Sequence, residues 1–288
     1  MAKRVIVRIS APSRWEKNYL VESLKQSKLP SVRYVEGSDE VVRDENIVAI
    51  VSNNLSKEDC KKLPNLRYLI IPASGTEGVD HDVVKGRGIT IIQDKEIASS
   101  GVVEYVYEQL KQLSKDKLRS YLKGKTIGLL GYGHVGKEIY ERLSKYGLKW
   151  EIMKEDPSTL GRELGIKFVG NKDSLEGILS DSDIIINALP LNSETKGLLA
   201  DKTYMIKRGA LIINVSRSGI MNEKQILDGV VNGQFSGAIF DVYPKNINTG
   251  DYSNSNIVLT PHIAGIYGKA LNEMVGFIKR SVKKVLRR

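Results

Sequence analysis

Thr126-Ile127-Gly128-Leu129-Leu130-Gly131-Tyr132-Gly133-His134-Val135-Gly136 decides how the rest of this chain is read. A short apolar run passes straight into G-x-G-x-x-G, and the residues after it, Lys137 to Leu143, show helical spacing. That order predicts strand, tight turn, helix. Gly131 permits the turn, Gly133 lets backbone approach a diphosphate, and Gly136 lets helix and strand pack closely. Phosphate oxygens then meet free N–H groups and the positive end of a helix, so His134 and Val135 join the three glycines as candidate cofactor contacts. Glycine-rich turns are common, and a plain strand–helix corner is the competing reading. The strand before and the helix after favour dinucleotide binding.

Working outward, Ala98 to Tyr121 reads as one long helix with Val102, Val103, Val106, Leu110 and Leu113 on an apolar stripe. Beyond the glycine turn come a strand at Lys149 to Met153, a helix at Ser174 to Leu179, and the apolar run Ile184 to Ile186. Ala210 to Val215, a helix from Asn222 to Val231, Gly237 to Val242 and Ile257 to Leu259 complete the series. This alternation predicts a doubly wound parallel sheet over residues 96–266.

Ahead of it, Val5 to Ile9, Val32 to Val35, Ile47 to Val51, Leu66 to Ile71 and Ile89 to Ile92 read as strands. Ser13-Arg14-Trp15-Glu16 is a capping-box pattern opening a helix to about Lys25, and a short helix is expected around Ser56 to Lys62. The final apolar helix, Lys269 to Leu286, has no strand after it and is expected to return to the first domain. The expected organisation is therefore α/β with two Rossmann-like domains: 1–95 with 267–288 for substrate, and 96–266 for dinucleotide. Two chain passages would join them, leaving a cleft of the kind that favours ligands.

At 288 residues, with 41% hydrophobic content, the chain can build two cores. The single cysteine, Cys60, cannot form an internal disulfide and suits a reducing, cytoplasmic setting as a buried, inert thiol. Arg8 interrupts the first apolar run, which reads as a strand rather than a signal peptide. No stretch approaches the length of a membrane span. Forty-four basic against thirty-four acidic residues give a formal charge of +10, scattered except for the tail Lys279 to Arg288. A solvated last helix explains that tail better than nucleic acid does, and the surplus charge suits anionic substrates and cofactors.

Three further stretches sharpen the reading: Asn214-Val215-Ser216-Arg217-Ser218-Gly219, Gly237-Ala238-Ile239-Phe240-Asp241-Val242, and Thr260-Pro261-His262-Ile263-Ala264-Gly265. With the glycine turn and Ala188-Leu189-Pro190-Leu191-Asn192-Ser193-Glu194-Thr195-Lys196-Gly197, the chain resembles the D-isomer-specific 2-hydroxyacid dehydrogenases, the glycerate, phosphoglycerate and glyoxylate/hydroxypyruvate reductase group. The likeness runs through nearly the whole chain. It implies that Arg217 grips a substrate carboxylate, for which a guanidinium offers a fixed fork of donors. It implies that His262 donates the proton, a role suited to imidazole near neutral pH; His81, in an expected loop, and His134, inside the glycine turn, lack that setting. Asp241 would contact the nicotinamide amide, unless it is simply a carboxylate ending a strand. Leu189, Pro190, Thr195, Val215 and Ala264 would line the cofactor. Gly75, Thr76, Glu77 and Gly78 resemble a loop whose backbone N–H groups receive the carboxylate, with an ordinary turn as the alternative. No metal is implied; a homodimer is.

Two departures follow. The family pattern D-V-F-x-x-E-P becomes Asp241-Val242-Tyr243-Pro244-Lys245-Asn246-Ile247, placing Asn246 where a glutamate assists the histidine. An amide can orient the ring but cannot favour imidazolium; a rearranged loop would let Asp251 supply the carboxylate instead. In NAD-selective members an acid ends the second strand of the nucleotide unit, whereas here that position is Lys154. Lysine there favours NADP(H), with NAD(H) retained if Glu155 or Asp156 takes the ribose. The family's N-A-P-G and V-A-E-H patterns also become Gln93-Asp94-Lys95-Glu96 and Val102-Val103-Glu104-Tyr105.

The function expected is hydride transfer between a nicotinamide cofactor and a small 2-oxo or 2-hydroxy acid. A dinucleotide-sensing, corepressor-like binding protein is the rival, motivated by Asn246 and the basic tail. A formate-type dehydrogenase draws support from Asn246 alone.

Overall fold

β-Branched runs separated by helical segments leave parallel pairing as the available sheet geometry, and each of the extended ladders is parallel. The computed structural model describes residues 3–287 apart from 10–13, 30, 37–40, 74, 77, 154–166, 170–174 and 254–255. Two units emerge: Met1–Gly101 with Gly265–Arg288, and Val102–Ala264.

The first unit begins with β1 (Arg4–Ile9), α1 (Arg14–Gln26), β2 (Val32–Glu36), β3 (Ile47–Val51), β4 (Asn54–Leu55) and α2 (Lys57–Lys62). It continues through β5 (Tyr68–Ile71), β6 (Gly78–Val79), α3 (His81–Gly86) and β7 (Thr90–Gln93). Its main sheet runs β2-β1-β3-β5-β7, a flavodoxin-like order once the short β4–β6 pair is set aside.

The second unit takes up the chain within α4 (Lys95–Leu113). It then holds α5 (Leu118–Leu122), β8 (Thr126–Leu130), α6 (His134–Leu143), β9 (Lys149–Met153), β10 (Lys167–Val169), α7 (Leu175–Asp181) and β11 (Ile184–Asn187). β12 (Leu211–Asn214), α8 (Glu223–Val231), β13 (Gly237–Phe240) and β14 (Ile257–Leu259) complete it. The sheet order β10-β9-β8-β11-β12-β13-β14 is the Rossmann order with one added strand. Its strand order reverses between β8 and β11, so the glycine turn stands at the switch point.

The last helix, α9 (Ala270–Arg287), belongs to the first unit. Leu271, Met274, Val275, Ile278, Val282 and Val285 recur at helical spacing and share a core with Val5, Val7, Leu24, Ala49 and Ile70. Arg280, Lys283, Lys284 and Arg287 are exposed on the other side, so the basic tail is the wet face of a packed helix.

The structure departs from the sequence expectations at definite points. The long helix expected to Tyr121 stops at Leu113. The Asp116 N–H donates to Lys111 O at 3.0 Å and the Lys115 N–H to Gln112 O at 2.9 Å, with Lys115 at φ 49°. This is a Schellman end with lysine where glycine usually signals the stop, and α5 resumes beyond it. His81 opens α3, capped by Asp80, rather than lying in a loop. The Ser13 capping box lies outside the described residues. A complete one forms at Ser56, whose Oγ accepts from the Asp59 N–H at 3.1 Å while Asp59 accepts from the Ser56 N–H at 2.9 Å.

Asp59 also ties α2 to β1. The Arg8 guanidinium donates to both of its carboxylate oxygens, at 2.8 and 2.9 Å, and to Asn54 O at 2.6 Å. Burial pushes the Asp59 carboxyl up, but bonds from Arg8 and Ser56 outweigh it and hold the group below the usual carboxylate range. Stability from Asp59 is thus present above its unfolded pKa and lost as pH falls through the folded one. Arg8→Met is expected to cost about 3 kcal/mol at neutral pH in urea unfolding. The gap to wild type should narrow in acid as Asp59 protonates.

Candidate active site

In a parallel sheet with helical crossovers, the loops after the strands gather along one edge, and functional side chains concentrate there. In the second unit β8, β11, β12, β13 and β14 all end along that edge.

At the end of β8, Gly131 has φ 98°, where an L side chain is strained, and an added Cβ would lie 2.9 Å from the Ala188 backbone. At Gly136 an added Cβ would sit 2.0 Å from Gly131 O, so α6 packs against the turn too closely for any side chain. Gly133 differs. It is the N-cap of α6, carries no side-chain cap, and an added Cβ would meet nothing within 4 Å. The helix N-terminus opens onto free space, and these features fit a diphosphate. His134 and Val135 form the first helical turn; the exposed His134 ring lies 3.4 Å from Glu138.

The next two loops are bound together by two amides that the motifs did not single out, Asn187 and Asn214, both fully buried. They end β11 and β12 in register. Asn187 Nδ2 donates to Asn214 Oδ1 at 3.1 Å, and the Leu189 N–H donates to Asn187 Oδ1 at 3.3 Å. The Ser216 N–H donates to Asn214 Oδ1 at 3.2 Å, Asn214 Nδ2 to Arg217 O at 3.3 Å, and Ser216 Oγ to Leu189 O. Both strands read Ile-Ile-Asn at their ends, and that repeated asparagine is the signal that could have found them. In the β11 loop, Thr195 donates to Pro190 O and its N–H to Asn192 Oδ1 at 3.0 Å. Val215 is buried, its N–H on Asn187 O.

Arg217 is half-buried, and its Nη1 donates to Ser216 O at 2.8 Å. The loop beyond is anchored by Glu223, which is buried and accepts from the Gly219 N–H at 2.9 Å.

Asp241, 1% exposed, follows β13. Its Oδ1 accepts from Thr260 Oγ1 at 2.7 Å and the Ile263 N–H at 2.8 Å; its Oδ2 accepts from the Ala264 N–H at 2.9 Å. Its backbone carbonyl accepts from the His262 N–H at 2.8 Å. His262 is exposed, with φ 60°. Since β13 lies between β12 and β14, the loops bearing Arg217 and His262 start about 10 Å apart, two strand spacings.

The other expected site residues occupy separate segments of the chain. Asn246 is exposed in the turn closed by the Ile247 N–H on Pro244 O. Asp251 is exposed and accepts from Asn248 at 2.9 Å. In the first unit, Gly75 and Thr76 are half-buried and Gly78 exposed; Thr76 Oγ1 lies 3.1 Å from the His81 ring. Glu77, Lys154, Glu155 and Asp156 lie outside the described residues. Among the described residues no cluster of potential metal ligands forms and no helix is long and apolar enough to cross a membrane. Cys60 is buried, and burial pushes its thiol up.

The glycine turn at the switch point of a Rossmann-ordered sheet defines a nucleotide-binding α/β unit. Residues 99–264 match the model of the D-isomer specific 2-hydroxyacid dehydrogenase, NAD binding domain. Glycerate dehydrogenase of Methylorubrum extorquens is 30% identical over 236 residues, 71% of either chain. Glyoxylate reductase of Pyrococcus furiosus is 24% identical, covering 84% of this chain and 80% of its own. The crystal structure of D-lactate dehydrogenase from Aquifex aeolicus, complexed with NAD and lactic acid, superposes with a TM-score of 0.77 at 20% identity, covering 99% of this chain and 96% of that one. The chain belongs to the D-isomer specific 2-hydroxyacid dehydrogenase family, oxidoreductases whose nucleotide domain binds NAD.

Burial pushes the Glu223 carboxyl up, against smaller lowering effects from its own and the Gly219 N–H groups. A raised carboxyl contributes stability that is present below its unfolded pKa and lost as pH rises through the folded one. Glu223→Gln keeps an acceptor for Gly219 without a charge to desolvate. Its melting temperature should match or exceed wild type at pH 8, and the difference should vanish in acid.

Proposed function

We propose that the chain reduces small 2-oxo acids of the glyoxylate and hydroxypyruvate type to D-2-hydroxy acids. The observation that carries this reading is the edge itself: Arg217, Asp241 and His262 follow three adjacent parallel strands of the sheet whose switch point holds the glycine turn. The names of the glycerate and glyoxylate relatives support the substrate class. A nicotinamide dinucleotide, when bound, supplies the hydride.

Arg217 anchors the substrate carboxylate and draws charge from the adjacent carbonyl, since a guanidinium stays protonated throughout the working range. His262 gives its proton to the carbonyl oxygen as the hydroxyl forms, and takes it back in the oxidative direction. Gly131, Gly133, His134, Val135 and Gly136 receive the diphosphate, with Leu189, Pro190, Thr195, Val215, Asp241 and Ala264 along the rest of the cofactor. Gly75, Thr76, Glu77 and Gly78 offer backbone donors to the substrate. Lys154 supports a preference for NADP(H) over NAD(H), because a lysine attracts the 2′-phosphate that an acid would repel. The resemblance further supports a homodimer.

Oxidation of NADPH and of NADH with glyoxylate, hydroxypyruvate, pyruvate and bulkier 2-oxo acids tests the reading directly. Turnover with the small acids and lower KM for NADPH are expected. Tight dinucleotide binding without turnover would replace the reductase with a nucleotide-responsive binding protein, and a clear NADH preference would remove the role of Lys154.

Two sets of variants carry the test to the residues. His262→Asn should lower kcat by about 10²- to 10⁴-fold, and Arg217→Gln should lower kcat/KM by roughly 10- to 100-fold. Asn246→Glu would place a carboxylate that favours imidazolium, so the reductive pH profile should move upward. An unmoved profile would detach Asn246 from His262.

A further inference from the structure

Tyr105 lies on α4, where the family pattern V-A-E-H carries histidine, and it is completely buried. Its hydroxyl is 2.7 Å from Thr260 Oγ1, 155 residues away in sequence. Thr260 Oγ1 in turn lies 2.7 Å from Asp241 Oδ1. A threonine hydroxyl has one proton, and an ionised carboxylate can only accept. The Thr260 proton therefore goes to Asp241, and the bond from Tyr105 has one available sense: phenol to threonine, threonine to carboxylate. This ordered chain ends on the carboxylate that also holds the Ile263 and Ala264 N–H groups, immediately after His262 at φ 60°.

We propose that Tyr105 is a positioning residue for His262, acting through Thr260 and Asp241. The phenol fixes the threonine rotor and polarises its hydroxyl, which strengthens the bond to Asp241. Asp241 then holds the 262–264 backbone in the one conformation that presents the imidazole. The inference rests on the assignment of His262 as proton donor made above.

The variants Tyr105→Phe, Thr260→Val, Thr260→Ser and the double Tyr105→Phe/Thr260→Val test it. Tyr105→Phe should lower kcat roughly tenfold or more, as expected when a reacting group is slightly misplaced. Thr260→Val should lose at least as much, and Thr260→Ser, which keeps a hydroxyl, should retain most of the rate. The double variant should be no slower than Thr260→Val alone, because removing the threonine hydroxyl already disconnects the phenol.

Additive losses would mean independent packing effects and would overturn the relay, as would wild-type kcat in Tyr105→Phe. A second readout needs no turnover. Amide hydrogen exchange at Ile263 and Ala264 should accelerate in Tyr105→Phe, and unchanged protection there refutes the coupling whatever the enzyme does. If His262→Asn keeps full activity, the assignment of the proton donor falls instead, and accelerated exchange in Tyr105→Phe would still stand as the structural link.

Discussion

The carboxylate of Asp241 sits where water cannot reach it, and such a group is tolerable only when donors surround it. Three donors come from one short stretch, Thr260 to Ala264. Satisfying the carboxylate and shaping the loop after β14 are consequently the same event. The Asp241 N–H meanwhile donates to Asn214 O at 2.9 Å, joining this knot to β12. From β11 to β14 the edge is one hydrogen-bonded row: Asn187, Asn214, Asp241, Thr260. Each member sits beside a strand paired in parallel register with the next. The row fixes where the Arg217 and His262 loops begin, before either side chain has done anything.

This arrangement explains why the polar residues cluster at one end of an otherwise apolar sheet. β11, β12 and β13 are buried along their whole length and read as continuous apolar runs, the sign of a sheet covered on both faces. Polar groups there would be costly except at the strand ends, where turning backbone supplies N–H donors. Asparagine at Asn187 and Asn214 uses both halves of its amide, which a carboxylate could not do. Glu223 plays a lesser version of the same part for the loop after Arg217, with desolvation as its cost.

Much of this was legible in the residues. The glycine turn announced itself because Gly131 needs a positive φ and Gly136 tolerates no Cβ, constraints that leave no other residue type. Parallel layering followed from alternating periods, and the family followed from motifs in order. What escaped notice lacked a local sign. The end of α4 uses Lys115 in a left-handed conformation that glycine would have flagged. Asn187 and Asn214 looked like ordinary strand endings, because their importance lies in facing each other across two strands. The pairing of Tyr105 with Thr260 joins a helix and a strand end far apart in sequence, and no pattern within either segment reports it. Asn246 was legible as a departure from the family pattern, whereas its exposed position depends on how the turn after β13 closes.

The left-handed backbone at His262 has a consequence for anyone wishing to transplant this loop. A non-glycine residue held there costs about 1–2 kcal/mol, and the surrounding bonds must offset it. A histidine grafted alone onto a foreign strand end would relax to a right-handed conformation and swing its ring elsewhere. The smallest portable unit is therefore the histidine with its carboxylate, its threonine and the two amides after it: a cassette spanning neighbouring strands, whose geometry would be lost if only the histidine were copied.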